Sequence, residues 1–138
     1  MENQGLTMKK DIEIPKAENI YVAAVKEWDK DFLEQSWNVY LINDREDTIS
    51  LVLVMSRGNN DVQKTTTLRQ NLGDIEPKTA KKIEFIATEV FSFTNEFLVT
   101  FFAENKLLER KFTFEPFSIS EELVKTLPVL EAAGVLAK

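Results

Sequence analysis

The 138-residue chain contains no histidine and no cysteine, is 43% hydrophobic with ten phenylalanines, and sets 17 basic against 23 acidic residues for a formal net charge of −6. These numbers exclude a Ser-His-Asp triad, a Cys-His dyad, a zinc site of His or Cys ligands and thiol redox chemistry, while the acidic balance repels nucleic-acid phosphates. The length suits one domain whose core needs neither a disulfide nor a structural metal, and no cofactor is implied.

Residues 1–18 are polar, and Pro15 opposes regular pairing, so they read as a partly ordered lead-in to a single β-sandwich domain over residues 19–138. Lys9 and Lys10 have no apolar stretch behind them, and no run approaches the ~20 apolar residues of a membrane span. The expectation is a cytoplasmic protein with neither membrane nor nucleic acid as partner.

Between Ile20 and Ser36 two periods compete. Ile20, Val22 and Ala24 fit one strand face, whereas Val22, Val25, Trp28, Phe32 and Leu33 fall near helical spacing, and periodicity leaves both open. The β-branched residues and Tyr21 favour a strand over about 19–28 and then a loop. From Trp37 the alternation is plain: Trp37, Val39 and Leu41 share a face, Asn43 to Asp47 form a polar turn, and Ile49, Leu51, Leu53 and Met55 resume on the next strand. Trp37 is expected between the sheets. Val52 and Val54 are apolar on the opposite side, an excess that a two-layer sandwich buries only with a further layer or a partner.

Gly58-Asn59-Asn60-Asp61 is the strongest turn signal. The threonine-rich stretch from Val62 to Leu72 reads as an edge-like strand, broken by Leu72 to Pro77. Ala80, Ile83, Phe85 and Ile86 change parity within one strand, which implies a bulge. Phe97, Val99 and Phe101 lead through the turn Ala103 to Lys106 into Leu108, Phe112 and Phe114, the cleanest hairpin of the chain. After Pro116, Ser118 and Glu121 are spaced as a capping box, predicting a short helix to about Leu127 before Pro128, and the apolar tail Val129 to Ala137 is expected to pack back. About seven strands separated by turn chemistry make an all-β antiparallel sandwich with a short C-terminal helix or tail.

The runs NVYLIND (38–44), TISLVLVMS (48–56) and LGDIEPKTAKKIEFI (72–86), with the final phenylalanine hairpin, resemble immunoglobulin-like or fibronectin-type sandwiches over about residues 19–116. The chain is also similar to small bacterial proteins of this length that carry no established function. The resemblance implies a core position for Trp37, yet both cysteines of an antibody-type inter-sheet bridge are missing, and a shared fold does not carry function.

Carboxylates are the remaining chemistry. Asp29, Asp31 and Glu34, like Asp44, Glu46 and Asp47, lie close in sequence, but neither set has EF-hand spacing, and acidic loop residues ordinarily keep a turn solvated. Lys78, Lys81 and Lys82 read as a solvated face, and glycines at 5, 58, 73 and 134 form no phosphate loop. The expectation is a protein without catalytic activity: an interaction module that pairs with a protein partner, or with itself as a homodimer, through a strand edge or sheet face. The candidate surface is Val52, Val54, Thr66, Phe91 and Phe93. The alternative is a small-molecule or carbohydrate binding domain using Trp28, Tyr21 or Trp37 as an aromatic platform.

Overall fold

A computed structural model describes residues 15–138; most of the expected lead-in, residues 1–14, lies outside the described residues. The described chain holds β1 (Ile20–Trp28), β2 (Gln35–Asn43), β3 (Ile49–Asn59), β4 (Leu68–Ile75), β5 (Thr79–Ile86), β6 (Thr94–Ala103), β7 (Lys106–Phe114) and the short β8 (Lys125–Thr126) and β9 (Ala133–Leu136). They form two antiparallel sheets, ordered β5-β2-β1-β9-β8 and β4-β3-β6-β7, packed face to face. Among the described residues no helix is long and apolar enough to cross a membrane.

The ambiguous first segment is a strand because both of its faces are buried. Ile20, Val22 and Ala24 enter the core between the sheets with Trp37, Val39, Leu41, Val99, Phe101 and Phe112. Ala23 and Val25 point outward and meet Ile42 and Leu127 in a second cluster, flanked by Tyr21, Tyr40, Val129 and Leu130. That double burial explains the mixed periodicity.

The second cluster also corrects the expected C-terminal helix. Ser120 is extended (φ −154°, ψ 155°) with no side-chain cap bond, the 3₁₀ turn Glu121–Leu123 is all that forms, and Val124 is extended again. Ser118, the expected cap, keeps its hydroxyl buried without a hydrogen-bond partner. The apolar side chains of the segment bury more surface as a cover on the outer face of the five-stranded sheet than a single exposed helical turn would. The tail then returns as β9, where Ala24 pairs with Val135, which matches the expected back-packing.

The two long sides of the sandwich differ. Along β7, backbone bonds close the gap: Ala17 donates to the Glu109 carbonyl (3.0 Å), Glu109 to Pro15 (3.2 Å), and Thr113 and Lys138 bond reciprocally (2.8 and 2.9 Å). Along the other side, β4 and β5 belong to different sheets and are joined by the turn through Pro77 and Lys78. They diverge from that turn, and a cleft opens at their far ends.

Two irregularities set which side chains face where. In β3 the register with β4 and β6 shifts after Ile49, and Leu51 adopts φ 52°. A bulge of this kind inserts one residue and reverses the alternation, so Ile49, Val52 and Val54 all enter the core. In β5 the register with β2 shifts between Val39 and Tyr40, which pair with Glu84 and Lys82, leaving Ile83 as the inserted residue. This is the bulge implied by the parity change in the sequence, and it brings both Ile83 and Glu84 toward the interior.

The expected edge strand is β4, displaced from the predicted span. Residues 62–67 are loop, and Gly73 (φ 67°) bends the strand without ending it. Nor is Gly58 part of the turn: it lies within β3, where a β-carbon would come to 2.7 Å from Asn95 Oδ1, so close packing requires glycine there. Lys81 from β5 donates to the carbonyls of Leu72 (2.6 Å) and Asp74 (3.3 Å), occupying part of the β4 backbone that a strand partner would need.

Candidate functional site

The outer faces of the two sheets are treated differently by the chain. Leu127, Val129 and Leu130 cover the five-stranded sheet, whereas no described segment covers the outer face of the four-stranded sheet. On that face β3 contributes Leu51, Leu53 and Met55, and β6 contributes Phe102; their exposures of 65%, 49%, 37% and 44% describe an apolar surface, not scattered contacts. Cross-strand register completes it: Met55 stands beside Leu98, Leu53 beside Thr100, and Phe102 beside Leu107.

Charge is distributed unevenly around this apolar centre. At the end near the close of β3, Arg57 and Lys111 flank Glu96 at 3.1 and 2.9 Å, with Arg69 across from Met55. The Lys111 ammonium, then partial burial opposing it, then Arg57, hold the Glu96 carboxyl below its usual range. Arg57, Arg69, Lys111, Met55 and Leu98 line a depression of about 360 Å³. Toward the other end the acids predominate: Glu109 pairs with Thr100, and Asp74 lies beside Leu51, whose N–H it accepts at 3.4 Å.

A cleft on the β4/β5 side is a further concave feature. It encloses about 290 Å³ and is lined by Leu68, Phe85, Ile86, Ala87, Val90 and Phe97 with Thr65 and Thr66 at its rim. Glu84, turned inward by the β5 bulge, meets Ser56 of the opposite sheet, whose hydroxyl donates to Oε1 at 2.8 Å. Burial pushes the Glu84 carboxyl above its ordinary value, opposed by the Ser56 hydrogen bond.

The opposite end of the sandwich is polar and internally satisfied. Asn43, fully buried, donates to the carbonyls of Asp47, Ile75 and Glu76 and accepts from the Arg45 N–H. Arg45 pairs with Asp47 (2.7 Å) and Glu104, and Lys78 with Asp44 and Glu46. In the first hairpin Asp29 accepts from the N–H groups of Asp31 and Leu33. Asp29 of the first acidic run and all three acids of the second are thus engaged in turn or ion-pair geometry, and among the described residues no cluster of three metal-ligating side chains occurs.

The sequence-predicted surface residues fare unequally. Val52 and Val54 are corrected outright: both are buried in the core, because the Leu51 bulge reverses β3, and the exposed apolar residues of that strand are their neighbours Leu51, Leu53 and Met55. Thr66 is exposed and lines the cleft. Phe91 is half-buried, edge-on to Trp37 with centroids 6.0 Å apart, and Phe93 is half-buried beside Gly58. Trp37 is buried as expected, which removes it as a platform, and Tyr21 packs into the second cluster. Trp28 alone of the three is largely exposed. Glu84 was missed by sequence reasoning, although the parity change at Ile83 was the signal that could have found it.

No family model matches the chain, and neither the curated proteins nor the solved structures contain a significant match. Function therefore rests on the faces themselves.

Proposed function

We propose that this protein is a non-catalytic interaction module that associates with a second copy of itself through the outer face of the four-stranded sheet. One observation carries the reading: the C-terminal segment covers the outer face of the five-stranded sheet, whereas among the described residues nothing covers Leu51, Leu53, Met55 and Phe102 on the other outer face. Burying Leu51, Leu53, Met55 and Phe102 against a like surface would remove apolar area from water at roughly 25 cal/mol per Å² before the costs of association.

A second copy fits the charge pattern. A two-fold axis lying in the plane of the face and across the strands superposes the Arg57, Arg69 and Lys111 end of one copy on the Glu109 and Asp74 end of the other. Lys111 then stands over Glu109 of the partner subunit. Such isologous, self-complementary contact is the usual form of a homodimer. The other two-fold, along the strands, would set like charges together.

Sedimentation velocity across the micromolar range, on the wild type and on Leu53→Lys, tests this. The wild type is expected to approach twice the monomer mass and Leu53→Lys to remain monomeric while still unfolding cooperatively, its melt close to that of the wild type only at concentrations below the association range. A wild type that stays monomeric, or a variant that dimerises equally, overturns the proposal.

A further inference from the structure

We infer that the cleft between β4 and β5 is a binding site for a small primary ammonium compound with an apolar body, its ammonium received by Glu84. The site is on a different surface from the sheet face described above and does not depend on self-association.

The cleft is built in a way that core packing does not require. Leu68, Phe85, Ile86, Val90 and Phe97 give it an apolar lining, and its volume of about 290 Å³ falls near the lower end of small-molecule sites, roughly 300–1,000 Å³. Into that lining the β5 bulge turns one carboxylate. Ser56 satisfies a single oxygen of Glu84, and among the described residues no basic side chain pairs with it. The basic residue on the rim, Arg57, directs its guanidinium to Glu96 on the outer face of the sheet. A half-buried carboxylate without a counter-ion is unfavourable in its ionised form, as the raised affinity of Glu84 for its proton reflects.

A ligand cation offsets that cost, and an ammonium on a short aromatic or alkyl body also fills the apolar lining. An anion would meet the Glu84 charge. A divalent metal would find one carboxylate and a hydroxyl, too few oxygens for a hard cation. Because an ammonium favours the ionised carboxyl, affinity should rise as pH increases through the titration of Glu84 and level off above it.

The test uses 2-phenylethylammonium and its uncharged counterpart 2-phenylethanol, titrated into the ¹⁵N-labelled full chain and followed by NMR. The ammonium is expected to shift the amides of Ser56, Thr66, Leu68, Glu84 and Ile86 saturably and to bind on the order of tenfold more tightly than the alcohol. Glu84→Gln, shown folded by its spectrum, should abolish that difference, and Leu68→Trp should weaken both compounds by filling the cleft. Equal binding of amine and alcohol to the wild type, undiminished amine binding to Glu84→Gln, or shifts confined to other surfaces would each overturn the inference.

Discussion

Adjacent residues of β3 offer a sharp test of the bulge at Leu51. Val54 is 1% exposed and Leu53 49% exposed, although the sequence alone gives both the same apolar character. In Val54→Ala two buried methyl groups are lost, about 1.6 kcal/mol at ~0.8 kcal/mol per group, and a cavity of roughly 50 Å³ adds about 1 kcal/mol at ~24 cal/mol per Å³. The sum is about 2–3 kcal/mol. Leu53→Ala removes more atoms, but from a half-solvated site, and should cost under about 1 kcal/mol. Urea titrations below the association range measure both, with the slope checked for constancy so that midpoints report stability. In thermal melts the Val54 variant should fall by about 5–10 °C at roughly 2–4 °C per kcal/mol. Equal losses, or a larger loss for Leu53→Ala, would mean that β3 keeps unbroken alternation and that Val54 faces outward, refuting the assignment of both faces.

Asn43→Ala should cost about 2–4 kcal/mol, since it leaves three carbonyls and the Arg45 N–H at a buried corner without their partner; a denaturant midpoint within error of wild type would contradict that role. The Tyr40 phenol, pushed up to about 12 first by burial and then by its 2.6 Å hydrogen bond to Glu27, should ionise well above an ordinary tyrosine in an alkaline absorbance titration. Its folded value lies above the unfolded one, so the associated stability is present below pH 10 and lost as pH rises toward 12; ionisation near pH 10 in the folded protein would remove the effect. Glu84 has its folded value raised, so its contribution is fully present below the unfolded value of 4.5 and is lost as pH rises through the higher folded one. Glu84→Gln should therefore gain in melting temperature relative to wild type on going from acid to neutral pH, and a constant or reversed difference would show that burial does not govern this carboxyl.

The all-β class, the alternation of the Phe97 to Phe114 hairpin and the burial of Trp37 were legible because each rests on strict period-two patterning. The bulge in β5 was legible too, since Ile83 and Ile86 cannot share a face without one. The bulge at Leu51 was not: every residue from Leu51 to Met55 is apolar, so inserting one leaves no trace in hydrophobicity, and the interaction face was placed on Val52 and Val54 instead of Leu53 and Met55. The C-terminal helix failed for a different reason. Its capping signal is local, whereas the gain from covering Ala23, Val25 and Ile42 is tertiary and invisible in the segment itself. Glu84 looks like any surface acid of β5 until the bulge turns it inward.

Because the chain lacks cysteine, one introduced thiol reports directly on the proposed two-fold contact. Leu53→Cys lies one residue row from the proposed axis, and Lys82→Cys lies on the five-stranded sheet away from it; both are treated at the same micromolar concentration with a short bis-maleimide cross-linker and resolved by denaturing electrophoresis. The account predicts rapid, near-complete cross-linked dimer for Leu53→Cys and little for Lys82→Cys. Equal, slow cross-linking of the two would contradict it.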